Sequence, residues 1–171
     1  MRNNKINISA VQIVFLLLTI AVMCIIFWFS SQDAEESSES SSKLTEVAVR
    51  IIDKDYTKRS PSRQNELFEM ASFIVRKLAH FTIYTALGFC ASMTVGKRKL
   101  FTLKSLCVIV FGFLYALSDE LHQIISDGRS CEFRDMMIDT GGATLGMLIS
   151  LIVMLIAAKI ISKRQNKSLR T

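Results

Sequence analysis

The sequence predicts an all-α integral membrane protein. The expected form is a four-helix bundle with both termini cytoplasmic and a polar outer loop carrying a short amphipathic helix. Three observations lead there. Half of the 171 residues are hydrophobic, and they gather into four long runs, each near the roughly 20 residues that a bilayer crossing needs. With one proline and seven glycines, those runs are seldom broken. The basic residues, finally, sort to one side of the runs. This composition excludes a disulfide scaffold, a collagen-like repeat and a disordered chain.

Residues 1–9 form a basic tail with Arg2 and Lys5, and the first span covers residues 10–29 without a charge. Lipid offers no hydrogen-bond partner to a backbone, so such a run must be helical. Its core is too long for a secretion signal, and no small-x-small site follows it, so it is read as a retained helix. The bulky Met23 before Cys24 argues against lipoprotein processing. Trp28 and Phe29 are expected as aromatic anchors at the interface.

Residues 30–73 make the outer loop. Glu35–Ser42 is acidic and serine-rich, hence expected solvated and mobile. Leu44, Val47, Ala48 and Ile51 then repeat at helical spacing, which predicts the short amphipathic helix, resting on the membrane surface. Ser60-Pro61 reads as a cap followed by proline at the first helical position. A helix from Pro61 to about Met93 would be roughly 48 Å long, so the second span, residues 74–93, is its inner part and the remainder projects outward. The rest of the chain divides into a basic loop (94–104), a third span (105–121), a second outer loop (122–135), a fourth span (136–158) and a basic tail (159–171).

Orientation follows from charge. The two tails and the 94–104 loop hold eleven of the 21 basic residues and none of the 15 acidic ones. Lys97, Arg98, Lys99 and Lys104 join spans two and three, whereas only Arg129 and Arg134 join spans three and four. The positive-inside rule places both termini in the cytoplasm and the basic tail against anionic lipid. Because charge flanks spans and builds no groove-reading module, no nucleic-acid partner is expected. The cysteines show neither disulfide nor zinc spacing: Cys24, Cys90 and Cys107 lie in spans, and Cys131 has no outer partner.

Polar residues inside the spans collect near the outer end. Lys77, His80 and Tyr84 share one face of helix two; Tyr115, Asp119, His122 and Gln123 share a stripe on helix three, with Glu120 about 100° round. Helix four brings Asp135 and Asp139, above a Gly142/Gly146 small-xxx-small pattern that admits a neighbouring helix closely. Charges at such depth pair or line a cavity. Cations Arg76, Lys77, Arg129 and Arg134 face anions Asp119, Glu120, Asp135 and Asp139. They either lock the bundle as ion pairs or build a site, and both histidines of the chain fall in the cluster.

The same residues carry a resemblance. Arg76-Lys77-Leu78-Ala79-His80-Phe81-Thr82-x-Tyr84 with Leu87-Gly88, then Ser118-Asp119-Glu120-Leu121-His122-Gln123, Gly128-Arg129, Asp135 and Asp139-Thr140-x-Gly142 with Gly146, resemble the signature of the VanZ-like family of bacterial membrane proteins. Phe29-Ser30-Ser31-Gln32 is similar to its first turn. Ile83 departs from the pattern, standing where many relatives carry an acidic residue. The resemblance implies a multi-pass protein of the bacterial plasma membrane, linked through the family's namesake to resistance against the glycopeptide teicoplanin.

Two functions remain open at this point. The chain binds an anionic envelope group, a lipid phosphate or cell-wall precursor, through Arg76, Lys77, Arg129 and Arg134, with Tyr84, Gln123, Asp135 and Asp139 in support. Alternatively it is a hydrolase or transferase acting on a phospholipid or polyprenyl-phosphate headgroup, with His80, His122, Asp119 and Glu120 as catalytic groups. A metal variant of the enzyme would use His80, His122, Asp119 and Asp139 as ligands. A transporter is disfavoured by the absence of an inverted repeat. No cofactor is specified by the sequence.

Overall fold

The computed structural model describes residues 9–31, 34–96, 100, 102–127 and 132–168. They form five α-helices: α1 (Ala10–Ser30), α2 (Ala34–Ile52), α3 (Pro61–Val95), α4 (Leu103–Asp127) and α5 (Phe133–Ser168). Among the described residues there is no strand. Helices α1, α3, α4 and α5 are each long and apolar enough to cross a membrane, so the all-helical membrane fold expected from the sequence is present. Much of their apolar surface is open, including Leu17, Trp28 and Leu155. Bare hydrocarbon over whole helix faces suits lipid rather than water.

Local signals set the helix ends. Ser9 caps α1 by a reciprocal box: its hydroxyl accepts from the Gln12 amide, and the Gln12 side chain accepts from the Ser9 N–H. The Gln12 side-chain Nε2 then donates to the Thr94 carbonyl at 3.0 Å, tying the start of α1 to the end of α3. Gly96 ends α3 at φ 80, in the left-handed region that favours glycine. Proline opens α3 as its first residue, where a missing N–H costs nothing.

The seam between α3 and α5 organises the bundle. A Cβ at Gly146 would lie 1.9 Å from the Thr85 carbonyl oxygen, one at Gly142 2.4 Å from that of Phe81, and one at Gly88 1.9 Å from that of Ala143. Only glycine lets the two backbones touch this way, as the small-xxx-small pattern implies. The helices run parallel in constant register. The Lys77 ammonium meets the Asp135 carboxylate near one end, the Ser92 and Ser150 hydroxyls meet near the other, and both pairs are 58 residues apart. Helix α1 runs antiparallel to α3, as the Gln12–Thr94 bond and the Ile26–Tyr84 contact require. The start of α1 and the end of α5 therefore lie at one end of the bundle, and the in-span charged groups at the other.

Helix α3 has 35 residues, about 52 Å at 1.5 Å each, and its first turns stand clear of the bundle. Helix α2 folds back along them, packing Val49 and Ala48, with Tyr56 of the following turn, on Leu67, Phe68 and Ala71. Here the structure differs from the sequence reading in two ways. Glu35–Ser42 belongs to the 19-residue α2 instead of a mobile run; Glu35 and Glu36 fall in its first turn, where acids favour helix. The packed face is Thr45, Ala48 and Val49, while Leu44, Val47 and Ile51 are exposed. The turn is clamped by the Arg59 guanidinium, which donates to both Asp53 carboxylate oxygens at 2.8 and 3.3 Å. That contact and the Asp55 backbone N–H hold the Asp53 carboxyl below the usual carboxylate range.

Candidate functional site

Three helices converge at the charged end of the bundle. The glycine seam fixes α3 against α5 and brings His80 to Asp139, with Nδ1 3.8 Å from a carboxylate oxygen. That is an ion-pair separation, too long for a hydrogen bond. Helix α4 contributes Asp119. One donor atom each from His80, Asp119 and Asp139 all lie within 4.8 Å of one another. Asp119 and Asp139 are 5% and 2% exposed, so two carboxylates are carried into the protein interior around one imidazole.

A cavity of about 430 Å³ opens above them, lined by Arg76, Lys77, His80, Glu120, Asp135 and Asp139 with Phe73, Gln123, Glu132 and Ile138. Lys77 pairs with Asp135 and lies 5.1 Å over the Phe73 ring. Glu120 is 4% exposed and accepts the Glu132 backbone N–H at 3.1 Å. Several buried polar atoms here have no hydrogen-bond partner: the Ser30 and Tyr84 hydroxyls, Asp119 Oδ2 and Asp135 Oδ1. Ser30 lies beside Asp119, and Asp119 and Asp139 both act on the Tyr84 hydroxyl. Native interiors leave few polar atoms unmatched, and each costs about 1–3 kcal/mol. Ser30, Tyr84 and Asp119 gather beneath the cavity floor, and Asp135 belongs to its lining.

The residues singled out in the sequence divide into groups. Arg76, Lys77, His80, Glu120, Gln123, Asp135 and Asp139 line the cavity, and Asp119 and Tyr84 lie beneath it. His122 turns instead to α1, its ring 4.5 Å from Phe27; Tyr115, on the same side of α4, donates to the Met23 carbonyl at 2.7 Å. Neither lines the cavity. Arg134 is largely exposed, 3.6 Å from Glu132 and over the Phe73 ring. Arg129 lies outside the described residues. Ser30 and Glu132 belong to the surroundings although neither was expected to have a site role. The Phe29-Ser30-Ser31-Gln32 turn held the signal for the first; nothing marked the second.

A bundle of four membrane-capable helices with a half-open ionisable cavity at one end defines a small polytopic membrane protein. A family model described as VanZ/LLP1 matches residues 15–155, which includes every cavity-lining residue. The chain belongs to the VanZ/LLP1 family. No curated protein and no solved structure matches it.

Proposed function

We propose that the cavity faces the outside of the bacterial plasma membrane and binds the phosphate-bearing headgroup of an envelope lipid or cell-wall precursor. The observation that carries this reading is the meeting of two cations, Arg76 and Lys77, in one cavity at the end of the bundle. Arg76 takes the phosphate, which Arg can do bidentately, and Lys77 joins it by exchanging its Asp135 partner for the ligand. Asp135 and Glu132, which also line the cavity, accept hydrogen bonds from headgroup hydroxyls or amines. Basic loops and tails at the opposite end support the orientation through the positive-inside rule. Sequestering a cell-wall precursor in this way would give the chain a part in glycopeptide resistance.

Binding of the purified chain to vesicles doped with a polyprenyl-phosphate or an anionic phospholipid tests the reading. Arg76→Gln should weaken binding at least tenfold, about 1.4 kcal/mol, and Arg76→Lys by less. Equal binding to undoped phosphatidylcholine vesicles would refute it. For resistance, expression of the chain should raise the inhibitory concentration of teicoplanin, and Arg76→Gln should abolish that rise.

A second reading, headgroup chemistry, is favoured by the apposition of His80 to Asp139 with Asp119 beside them. A carboxylate that orients an imidazole is the arrangement of general acid–base catalysis. Release of a labelled headgroup by the intact chain, lost in His80→Ala, would establish it.

A further inference from the structure

We infer that His80, Asp119 and Asp139 form a binding site for one divalent transition-metal cation, Zn²⁺ or Mn²⁺, at the floor of the cavity. Three independent features lead there. The first is donor geometry. Metal–donor bonds of about 2.0–2.2 Å put ligand atoms about 3–4 Å apart. The His80, Asp119 and Asp139 donors lie within 4.8 Å of one another before any ion draws them in, so small side-chain rotations close the set.

The second is charge. Two carboxylates at 5% and 2% exposure share one imidazole. With both carboxylates ionised, even a protonated His80 would leave the group one positive charge short of neutral, and an unbalanced buried charge is strongly unfavourable. The nearest lysine cannot supply it, since the Lys77 ammonium is held by Asp135. The wider cavity repeats the imbalance: its lining holds Arg76 and Lys77 against Glu120, Glu132, Asp135 and Asp139. A dication at the floor neutralises the first and reduces the second.

The third is how Asp119 is held. Glu120, its neighbour in sequence and equally buried, accepts a backbone N–H. Asp119 has the Ser30 and Tyr84 hydroxyls beside it, neither in hydrogen-bonding geometry with Oδ2, so this carboxylate, one of the three donors, keeps a lone pair for a further partner.

One nitrogen and two carboxylate oxygens suit Zn²⁺ or Mn²⁺ better than Ca²⁺, which wants six to eight oxygens, or Cu⁺, which wants sulfur. Three protein donors leave coordination positions open on the cavity side, the pattern of metal sites that meet a substrate or water. The helices that supply the donors are fixed by backbone contacts at Gly142 and Gly146, so the site sits on rigid elements. The inference rests on these three side chains alone and does not require a headgroup.

The test uses the full chain in phosphatidylcholine nanodiscs, stripped with chelator and titrated with Zn²⁺ or Mn²⁺ alone. One equivalent per chain should bind and survive dialysis, as read by elemental analysis. Asp119→Asn and Asp139→Asn should each weaken binding at least tenfold, while Glu66→Gln, on the exposed part of α3, should not. Bound Mn²⁺ in the unaltered chain should show nitrogen coupling in its electron spin-echo spectrum, lost in His80→Gln. This spectrum keeps the test sharp even if an aspartate variant fails to fold. Absence of a stoichiometric ion, unchanged binding in both folded aspartate variants, or Mn²⁺ without nitrogen coupling would overturn the inference. Headgroup binding is read from vesicle composition and metal binding from the ion alone, so either can fail while the other stands.

Discussion

The α3–α5 pair is built in two different ways along its length. Toward the basic end, backbone meets backbone at Gly88 and Gly146, and the buried Ser92 and Ser150 hydroxyls satisfy each other. Toward the charged end the same helices part around a cavity, and Tyr84 of α3 lies against the buried Asp119 carboxylate of α4. The chain can match polar groups across this interface, since it does so at Ser92. Some two turns away ionisable side chains around a cavity replace the glycine contacts and the hydroxyl pair, which separates a region that holds the fold from one open to a ligand. Stability should therefore respond to substitutions in the first region, and binding to those in the second.

The largest effect is expected at the seam. Gly146→Leu drives a side chain into the Thr85 carbonyl and should cost about 3 kcal/mol or more by overpacking, seen as loss of a thermal transition in detergent. Gly141→Ala, whose Cβ would sit 3.8 Å from a Phe81 ring atom, should be silent; equal losses would break the comparison. Next comes Lys77→Met, which strands the half-buried Asp135 carboxylate. A fully buried broken pair costs about 3–5 kcal/mol; partial exposure of Lys77 and Asp135 should bring this to about 2 kcal/mol, and adding Asp135→Leu should recover most of it.

The contrast sharpens with two hydroxyl deletions. Ser92→Ala removes a matched hydroxyl and should cost about 1 kcal/mol. Tyr84→Phe removes one buried without a partner, so the melting temperature should hold or rise while headgroup binding weakens. A clear loss of stability in Tyr84→Phe would place it with the structural region.

How much of this was legible in the sequence depends on what each feature requires. Span number needs only run length, and the forward extension of α3 needs only Ser60-Pro61; both are present in the structure. Helix α2 was under-read because eight polar residues carry no apolar period, although acids at a helix start and a packed continuation suffice to extend it. The α4 stripe shows a different limit. Tyr115, Asp119, His122 and Gln123 share one broad face, but two neighbours divide it: α1 takes Tyr115 and His122, and the cavity takes Gln123. Periodicity gives a residue's angle on its own helix. It does not say which neighbour stands there, and so it could not separate His80 from His122.

The smallest effect lies in the projecting hairpin, away from both regions. Arg59 and the Asp55 N–H stabilise the charged form of Asp53. Its folded value is thus depressed below an unfolded value of about 3.9. The clamp's contribution is fully present above that unfolded value and disappears as pH falls through the depressed folded one. A carboxyl titration by NMR should give a midpoint below the ordinary aspartate value, moving back up in Arg59→Gln, with no change in headgroup or metal binding.

The convergence of His80, Asp119 and Asp139 can be measured directly in native membranes by paired-cysteine crosslinking, in a chain whose own cysteines are replaced by alanine. Cysteines at positions 80 and 139, and at 80 and 119, should join rapidly under mild oxidation. A pair at 82 and 139 should not, because Thr82 is exposed on another face of α3. If 80 and 139 fail to join, or 82 and 139 join as readily, the three helices do not meet as described and the site does not exist.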